Sequence, residues 1–319
     1  MQSRWWRIPF LFLALAVAPA SYAAQLSSEA SAAIPYEVQQ LLVIDYGAIS
    51  GSEAAVELRD RLIPPEFHEL EGILRKSGID IDHTAEQLDF ALFRTKPNAD
   101  QLLRVGIVQG QFSAKDIRAA FVRQELKSAS LRSYTMYSLS GNNATSMAFL
   151  DSSTIVFGHR EAVRAALDTY DGVAPSLAGN QEMIEKMKLV DSEPFWSVLD
   201  AIGTRTMMHQ VLGQAQHLAD VDEIRKRLQL SQYSMSFQND VHFDLAVSTD
   251  DPASAATIAA LLNIAAVYRK THGTDAEKQA LEAATITADA SQLSIHFAAT
   301  ESAFKDILQT PLFKSLCGE

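Results

Sequence analysis

The sequence predicts an α+β fold made of two tandem related lobes, each an antiparallel sheet with helices packed on one face. First, short apolar runs typical of buried strands alternate with segments that place apolar residues at helical spacing. Second, successive strand-like runs are separated by short turn-forming segments such as 151–153 and 238–240, which is typical of antiparallel hairpins. The apolar fraction of 47% is that of a globular chain with an ordinary core.

The first lobe is predicted over residues 36–178. Residues 41–44 are a bulky apolar run that suits a buried strand, and Asp45 ends it. Ser52 opens a helix that Pro64-Pro65 interrupts, because proline lacks the amide hydrogen that a helix interior needs. The later elements of this lobe are predicted as a helical piece that stops at Gly78, strands over residues 88–94 and 103–110, a helix opened by Ser113, a strand over 134–139, a hairpin of residues 147–150 and 155–157, and a helix over 159–170.

The second lobe is predicted over residues 194–319 and repeats the order of the first. Its elements are predicted as a strand over 195–199 that ends at Asp200, a long amphipathic helix that includes Met208 and continues to Leu228, hairpins of residues 233–237 with 241–247 and 286–289 with 293–297, a helix opened by Asp251-Pro252, and a last helix capped by Thr300.

Corresponding positions in the two lobes are separated by similar distances along the chain. Asp45 and Asp200 lie 155 residues apart, and Phe157 and Phe297 lie 140 apart. This similarity predicts a duplicated module, and the alternative is a chance agreement of element order. Residues 179–193 carry a short helical pattern and are predicted to form a bridging helix between the lobes.

Residues 1–23 are predicted to be a secretory signal peptide. Arg4 and Arg7 provide the positive start, residues 8–18 the apolar run, and Ala23 the small residue after which we place cleavage. An uncleaved anchor is the alternative, although the run is shorter than the ~20 residues that span a bilayer. Residues 24–35 are polar and alanine-rich, which predicts a flexible lead-in. The predicted location is periplasmic or secreted, with no membrane span after cleavage.

Charge and cysteine content exclude several classes of partner and stabilisation. Without Arg4 and Arg7, 25 basic residues face 39 acidic ones, a net charge of −14. That sign argues against nucleic acids and against anionic membrane surfaces as partners. Cys317 is the only cysteine, so an internal disulfide is excluded, and the leader has no cysteine to carry a lipid.

Several short segments between Phe149 and Asp200 combine into a pattern. They are Leu150-Asp151, 155–158, 161–168, 176–178, and a strand that ends at Asp200. Together they resemble a group of uncharacterised bacterial envelope proteins, a domain-of-unknown-function family built from repeated α+β units. The resemblance covers about one sixth of the chain. It implies an exported bacterial protein, and it transfers no catalytic residue.

An acidic cluster lies between a predicted helix and a predicted strand. Asp80, Asp82, His83 and Glu86 offer oxygen ligands at a spacing that vaguely resembles a calcium loop. The central glycine and the full set of alternating acids are missing. A solvated acidic loop is therefore the favoured interpretation.

Soft ligands for copper are the second metal hypothesis. Methionines at helical spacing usually fill gaps in a core, so we favour core methionines and surface histidines. The residues concerned are Met183, Met187, Met207, Met208, His209 and His217.

His242 and His296 occupy matching strand contexts. Strand alternation places both histidines on the outward face, opposite their apolar neighbours. A catalytic role needs a second convergent group, and the sequence identifies none. We therefore assign neither histidine to a site.

Residues 252–268 are the most unusual segment, because they carry no charge and include a nearly continuous apolar run over 258–267. A helix that is apolar almost all round must be covered on most sides. One interpretation is a central helix clamped between the sheet and another helix. The other is a helix that meets a partner protein, a second copy or a hydrophobic ligand.

The leading functional prediction is an exported, non-catalytic binding or interaction protein of the bacterial envelope. No catalytic, cofactor-binding or metal-binding residue is assigned, because no known catalytic or phosphate-binding motif is present. The partner is predicted to be an unknown protein or hydrophobic ligand, bound through residues 252–268. Two alternatives stay open: a carrier of a hydrophobic small molecule, and a hydrolase that uses Asp45 or Asp200 at a strand end.

Overall fold

The computed structural model of the chain describes residues 24–96, 101–139, 144–212, 221–310 and 313. The predicted signal peptide, His217 and Cys317 lie outside these residues. In the described part of the chain, no helix combines the length and the apolar character needed to cross a bilayer.

Twelve strands of the described residues form one antiparallel sheet in the order β11-β12-β10-β9-β8-β1-β2-β3-β7-β6-β5-β4. The strands are β1 (Val38–Asp45), β2 (Ala85–Arg94), β3 (Leu102–Gly110), β4 (Ser128–Leu131), β5 (Tyr134–Ser138), β6 (Thr145–Phe149), β7 (Thr154–His159), β8 (Phe195–Leu199), β9 (Leu228–Ser236), β10 (Val241–Thr249), β11 (Thr285–Asp289) and β12 (Gln292–Ala299).

The helices connect and cover these strands. They are α1 (Ser28–Ala33), α2 (Tyr46–Ile49), α3 (Glu53–Leu62), α4 (Pro65–Lys76), α5 (Ile81–Thr84), α6 (Ala114–Arg123), α7 (Arg160–Tyr170), α8 (Gln181–Met187), α9 (Ala201–Leu212), α10 (Val221–Lys226), α11 (Pro252–His272), α12 (Asp275–Ala283) and α13 (Glu301–Leu308).

The α+β class and the antiparallel pairing are confirmed, but the prediction of a separate sheet in each lobe is wrong. β1 of the first half pairs with β8 of the second, with Leu41 opposite Val198. The pairing satisfies two strand edges that would otherwise present unpaired backbone groups. Outward from this junction, the second half continues with β9, β10, β12 and β11, and the first half with β2, β3, β7 and β6. In both halves the last hairpin therefore follows the third strand in reverse order.

Helices cover both faces of the first half, which corrects the prediction of helices on one face. Val43 and Ile44 are adjacent and both fully buried, so they point into two different cores. A strand that is apolar on both faces requires cover on both, which explains the difference. We call the side covered by α1, α7 and α8 the α7 face, and the side covered by α3, α4, α6, α9, α11, α12 and α13 the α4 face.

Residues 24–35 do not form a loose lead-in. Ala30 and Ala33 of α1 are fully buried on the α7 face. Two side-chain contacts hold the segment before this helix: Trp196 Nε1 donates to the Ala24 carbonyl at 2.8 Å, and Gln109 Nε2 donates to Ser27 Oγ at 2.5 Å. We call residues 24–34 the N-terminal strap. Small alanine side chains allow its close approach to the sheet.

Two further segments differ from or refine the prediction. The long helix expected to reach Leu228 is present as α9 and α10, and Leu228 is the first residue of β9. Leu228 is fully buried beside the irregular pairing between β9 and β10, so it contributes to the core from a strand. The bridging segment forms α8, which packs on the α7 face next to β8 with Met183 buried.

Candidate functional site

Helix α11 has one face built for the core. Asp251 caps its first turn, accepting from the Ser254 amide at 2.9 Å, and Pro252 follows at the first helical position, where a missing amide hydrogen costs nothing. Ile258 and Leu262 pack on strands β10 and β12, where Leu245 is buried with them. This side of α11 anchors the helix to the α4 face.

The opposite side of α11 is exposed and apolar. Ile264 is 51% exposed, Val267 63% and Tyr268 58%. Ile264 and Val267 continue a line of exposed alanines at spacings of three and four residues, which keeps all of these positions on one side of the helix. We call Ala253, Ala256, Ala260, Ile264 and Val267 the exposed α11 stripe. A contiguous apolar patch on a surface is a candidate interaction site.

Opposite charges flank the two ends of this stripe. Asp250, which is exposed, precedes the helix. Lys270 lies in its last turn. The interpretation of residues 252–268 as a central helix clamped between the sheet and another helix is therefore wrong. The side of α11 that faces the sheet, α9 and α12 supplies its burial.

A cavity of about 300 Å³ lies between α12, β12 and α13. Its lining is mostly apolar, and Asp240, Gln279 and Thr300 add polar groups. Its volume is at the lower limit of small-molecule sites. The apolar lining residues are Ala276, Ala280, Ala283, Phe297, Ala298, Ala299, Ala303 and Ile307.

Asp45 and Asp200, the candidates for a hydrolase, lie at opposite ends of neighbouring antiparallel strands. Asp45 ends β1, whereas Asp200 follows β8 beyond the pair formed by Leu199 and Gln40. Along the strand direction, Asp45 and Asp200 are six residues of ~3.4 Å apart, a distance of about 20 Å. Paired carboxylates of glycoside hydrolases are at most ~9.5 Å apart. These two aspartates therefore do not form one catalytic site.

Each of the two aspartates caps the start of a helix instead. Asp45 accepts from the Ala48 amide at 2.7 Å, and Asp200 accepts from the Gly203 amide at 2.6 Å. Burial raises the pKa of both carboxyls, and these backbone donors partly offset that rise. Capping accounts for both residues at their positions after a strand.

Asp89 is a buried carboxyl that sequence reasoning missed. It lies fully buried in β2 on the α7 face, between Val43 of β1 and Ile107 of β3. Gln87 Nε2 donates to its Oδ1 at 2.8 Å, and its Oδ2 has no hydrogen-bond partner in the described residues. Burial raises the pKa of Asp89 to about 7, and the Gln87 bond opposes this rise. The sequence did contain a signal for this buried carboxyl, because Asp89 is a charged residue inside the apolar run of β2.

The acidic cluster forms ordinary local contacts. Asp80 caps α5 and approaches His83 Nδ1 at 2.8 Å, which helps to hold the pKa of Asp80 below its usual value. Asp82 accepts from the Tyr46 hydroxyl at 2.8 Å, and Glu86 accepts from Gln111. Among the described residues, no group of three or more His, Cys, Asp or Glu side chains is arranged to hold a metal ion.

The methionines proposed as soft ligands belong to two different faces of the sheet. Met183 and Met187 pack in the core of the α7 face, whereas Met207 and Met208, which belong to α9, pack in the core of the α4 face. The sheet separates the two pairs, so they cannot share one metal. His209 is exposed, with its Nδ1 2.7 Å from an Arg225 guanidinium nitrogen.

His242 and His296 are exposed, as strand alternation predicts. His296 Nδ1 makes a close contact with Oδ1 of Asp244, its cross-strand partner on β10. Asp244 is therefore the second group near His296 that sequence reasoning did not identify. It lies on an open sheet face, where neither side chain is shielded from water.

Comparisons with known proteins complete the description of the site. No family model matches the chain, and no curated protein matches it. The chain is similar to crystal form I of TP0453, with 11% identity, a TM-score of 0.49, and coverage of 92% of this chain and 99% of that chain. For crystal form III of TP0453 the identity is 11%, the TM-score 0.49, and the coverage 87% and 96%. A likeness of this degree supports no conclusion about function.

Proposed function

We propose that this chain is a non-catalytic interaction protein of the bacterial envelope, and that the exposed α11 stripe is its contact surface. The observation that carries the proposal is an uncharged apolar stripe on an otherwise acidic chain. A periplasmic or secreted location rests on the predicted leader and on the family resemblance of residues 149–200. Both stay predictions.

The energetics favour covering the stripe together with the adjacent Tyr268. Moving one aliphatic or aromatic side chain fully out of water contributes about 1.5–3 kcal/mol. Ile264, Val267 and Tyr268 are each between half and two-thirds exposed. Covering all three contributes on the order of 4 kcal/mol before the entropy cost of association is subtracted. The flanking alanines add little area, but they allow a partner backbone to approach closely.

Site-specific crosslinking in the envelope tests this function. A photoreactive residue at position 264 is expected to crosslink a specific component, whereas the same residue at position 122 is not. Val122 is the matched control because it is also apolar, 74% exposed and on a helix, α6, on the same side of the sheet. An equal crosslinking pattern from both positions would contradict the proposal. N-terminal sequencing of the same protein tests cleavage after Ala23.

A carrier of a hydrophobic small molecule is the second candidate, because the cavity beside α12 and α13 is apolar. We expect protein purified from its native envelope to release a small apolar compound that denaturing mass spectrometry detects. Ala280→Leu fills the cavity and should abolish the release, whereas Ala256→Leu, on the exposed α11 stripe, should not. Absence of any released compound, or its retention in Ala280→Leu, argues against a carrier.

A further inference from the structure

We infer that a second copy of this chain covers the exposed α11 stripe, with the two α11 helices packed antiparallel around a twofold axis at Ala260. This inference rests on the proposed function, because it identifies the partner of the same surface. A symmetric dimer requires one patch to be complementary to itself. The residues of α11 meet this requirement in their size and in their charge.

Size complementarity follows from the positions on either side of Ala260. In an antiparallel pair centred there, Ala253 lies opposite Val267 of the second copy, and Ala256 lies opposite Ile264. Every bulky residue of the stripe therefore faces an alanine. Ala260 faces itself at the crossing point, where a small side chain permits an interaxial distance of about 8 Å.

Charge complementarity selects the same arrangement. Asp250 and Lys270 are each ten residues from Ala260, so the antiparallel pair brings Asp250 of each copy to the level of Lys270 of the other. Twofold symmetry gives two such pairs. A parallel pair would place Asp250 beside Asp250 and Lys270 beside Lys270. Moving the axis by one turn to Ile264 would bring two isoleucines together and lose the opposed charges.

The distribution of charge favours a protein partner over a lipid surface. Helices that lie on membranes have basic residues along their polar edge, which anionic lipids attract. Here the basic residues Arg269, Lys270 and His272 are confined to the last turn of α11, where Arg269 pairs with Glu277. At the other end Asp250 and Asp251 precede the helix, and Arg227 pairs with Asp251. The uncharged stripe allows two acidic chains to approach each other.

The expected dimer is weak. The helix pair is about 25 Å long at 1.5 Å per residue, so it covers less than the ~1,200–2,000 Å² of a standard stable interface. We therefore expect a Kd on the order of 10 µM, within reach of sedimentation measurements.

The test is sedimentation equilibrium of the protein purified after expression with its own leader. Asp250→Lys and Lys270→Asp should each weaken dimerisation about tenfold, because each places like charges at both ends of the helix pair. The double variant should return to within about threefold of the original Kd. Ile264→Glu should abolish the dimer, and the control Val122→Glu should leave it unchanged. Thermal melting by circular dichroism verifies that each variant is folded.

A second measurement checks the position of the axis. In a Cys317→Ser background, Ala260→Cys should form a disulfide-linked dimer on mild oxidation, because symmetry brings the two cysteines together. Val122→Cys should remain monomeric at the same concentration. Linkage at position 122 as efficient as at position 260 would overturn the arrangement, and so would a double charge variant that fails to recover.

The outcomes separate this inference from the proposed function. A chain that stays monomeric up to about 300 µM, but whose residue 264 crosslinks an envelope component, refutes the second copy and leaves the interaction surface standing. Binding to vesicles of phosphatidylethanolamine and phosphatidylglycerol that Ile264→Glu abolishes, with no dimer, also refutes the second copy. A monomer with neither property refutes both.

Discussion

Asp89→Asn is expected to make the protein progressively more stable than the original chain as pH rises from 4 to 8. The original carboxyl is fully buried, and burial raises its pKa from the usual 3.8 to about 7. Between these two values the folded chain retains a proton that the unfolded chain has released. The free energy of unfolding of the original protein therefore falls with rising pH in this range, and the loss is complete above pH 7.

The magnitude follows from the difference between the two pKa values. One pH unit of separation corresponds to 1.36 kcal/mol, so values of about 7 and 3.8 give a loss of about 4 kcal/mol. The asparagine variant has no carboxyl to ionise at this position. Its stability relative to the original chain should rise by about 1.4 kcal/mol per pH unit and then level off above pH 7. The titrations of Asp45 and Asp200 cancel, because both proteins contain them.

The assay is equilibrium unfolding in urea at half-unit steps from pH 4 to pH 8.5, with the slope on denaturant checked for constancy. Ile107→Val is the matched control, because Ile107 is the buried neighbour of Asp89 on β3 and does not titrate. It should cost about 1 kcal/mol at every pH. A difference between Asp89→Asn and the original chain that does not change with pH would refute the reasoning.

The remaining predictions concern packing. Gly106→Ala should destabilise the fold by about 2 kcal/mol or more in urea unfolding, since a Cβ there would lie 2.1 Å from the Phe157 ring. Gly72→Ala, in α4 with no atom beyond the backbone of its own helix within 4 Å of its Cβ, should instead stabilise it by about 0.5–1 kcal/mol, and a loss of stability would contradict this. Trp196→Phe removes the donor to the Ala24 carbonyl, so amide hydrogen exchange of the N-terminal strap should accelerate; unchanged exchange would show that this bond does not hold the strap.

The strands were largely predictable from sequence, whereas their assembly into one sheet was not. Residues 41–44 show their strand character locally, as a bulky apolar run. The partner of this strand across the junction is β8, and Leu41 pairs there with Val198, 157 residues further along the chain. No local pattern encodes such a pairing, because any strand with an unpaired edge can accept another. The apolar character on both faces of residues 41–44 was a usable sign that both faces needed cover.

The N-terminal strap shows a different limit. Its polar and alanine-rich composition suggests a segment with too little apolar surface to pack. In the structure the small size of Ala30 and Ala33 is what allows α1 to lie close against α7 and the sheet. Composition counts apolar area, whereas packing also depends on how closely two backbones can approach.

The candidate site was predictable as a segment but not as a surface. The uncharged run of residues 252–268 identified α11, and its caps at Asp251 and Pro252 were evident from sequence. Which side of a helix is covered depends on the elements around it, and an apolar helix gives no polar side to orient it. The duplication of the two halves stays a prediction, which superposing the strands of one half on those of the other would test.

The two faces of the sheet explain why the exposed apolar surface lies in the second half. Around the β1–β8 junction, helices cover both faces, so the apolar strands there are enclosed. Further out, His242 and Asp244 leave the α7 face of β10 polar and open to water, and α11 covers the other face together with α9 and α12. A helix that is the outermost layer of its half has one side that no other part of the described chain covers. Apolar side chains on that side gain burial only from a partner, which is why the contact surface is expected on α11.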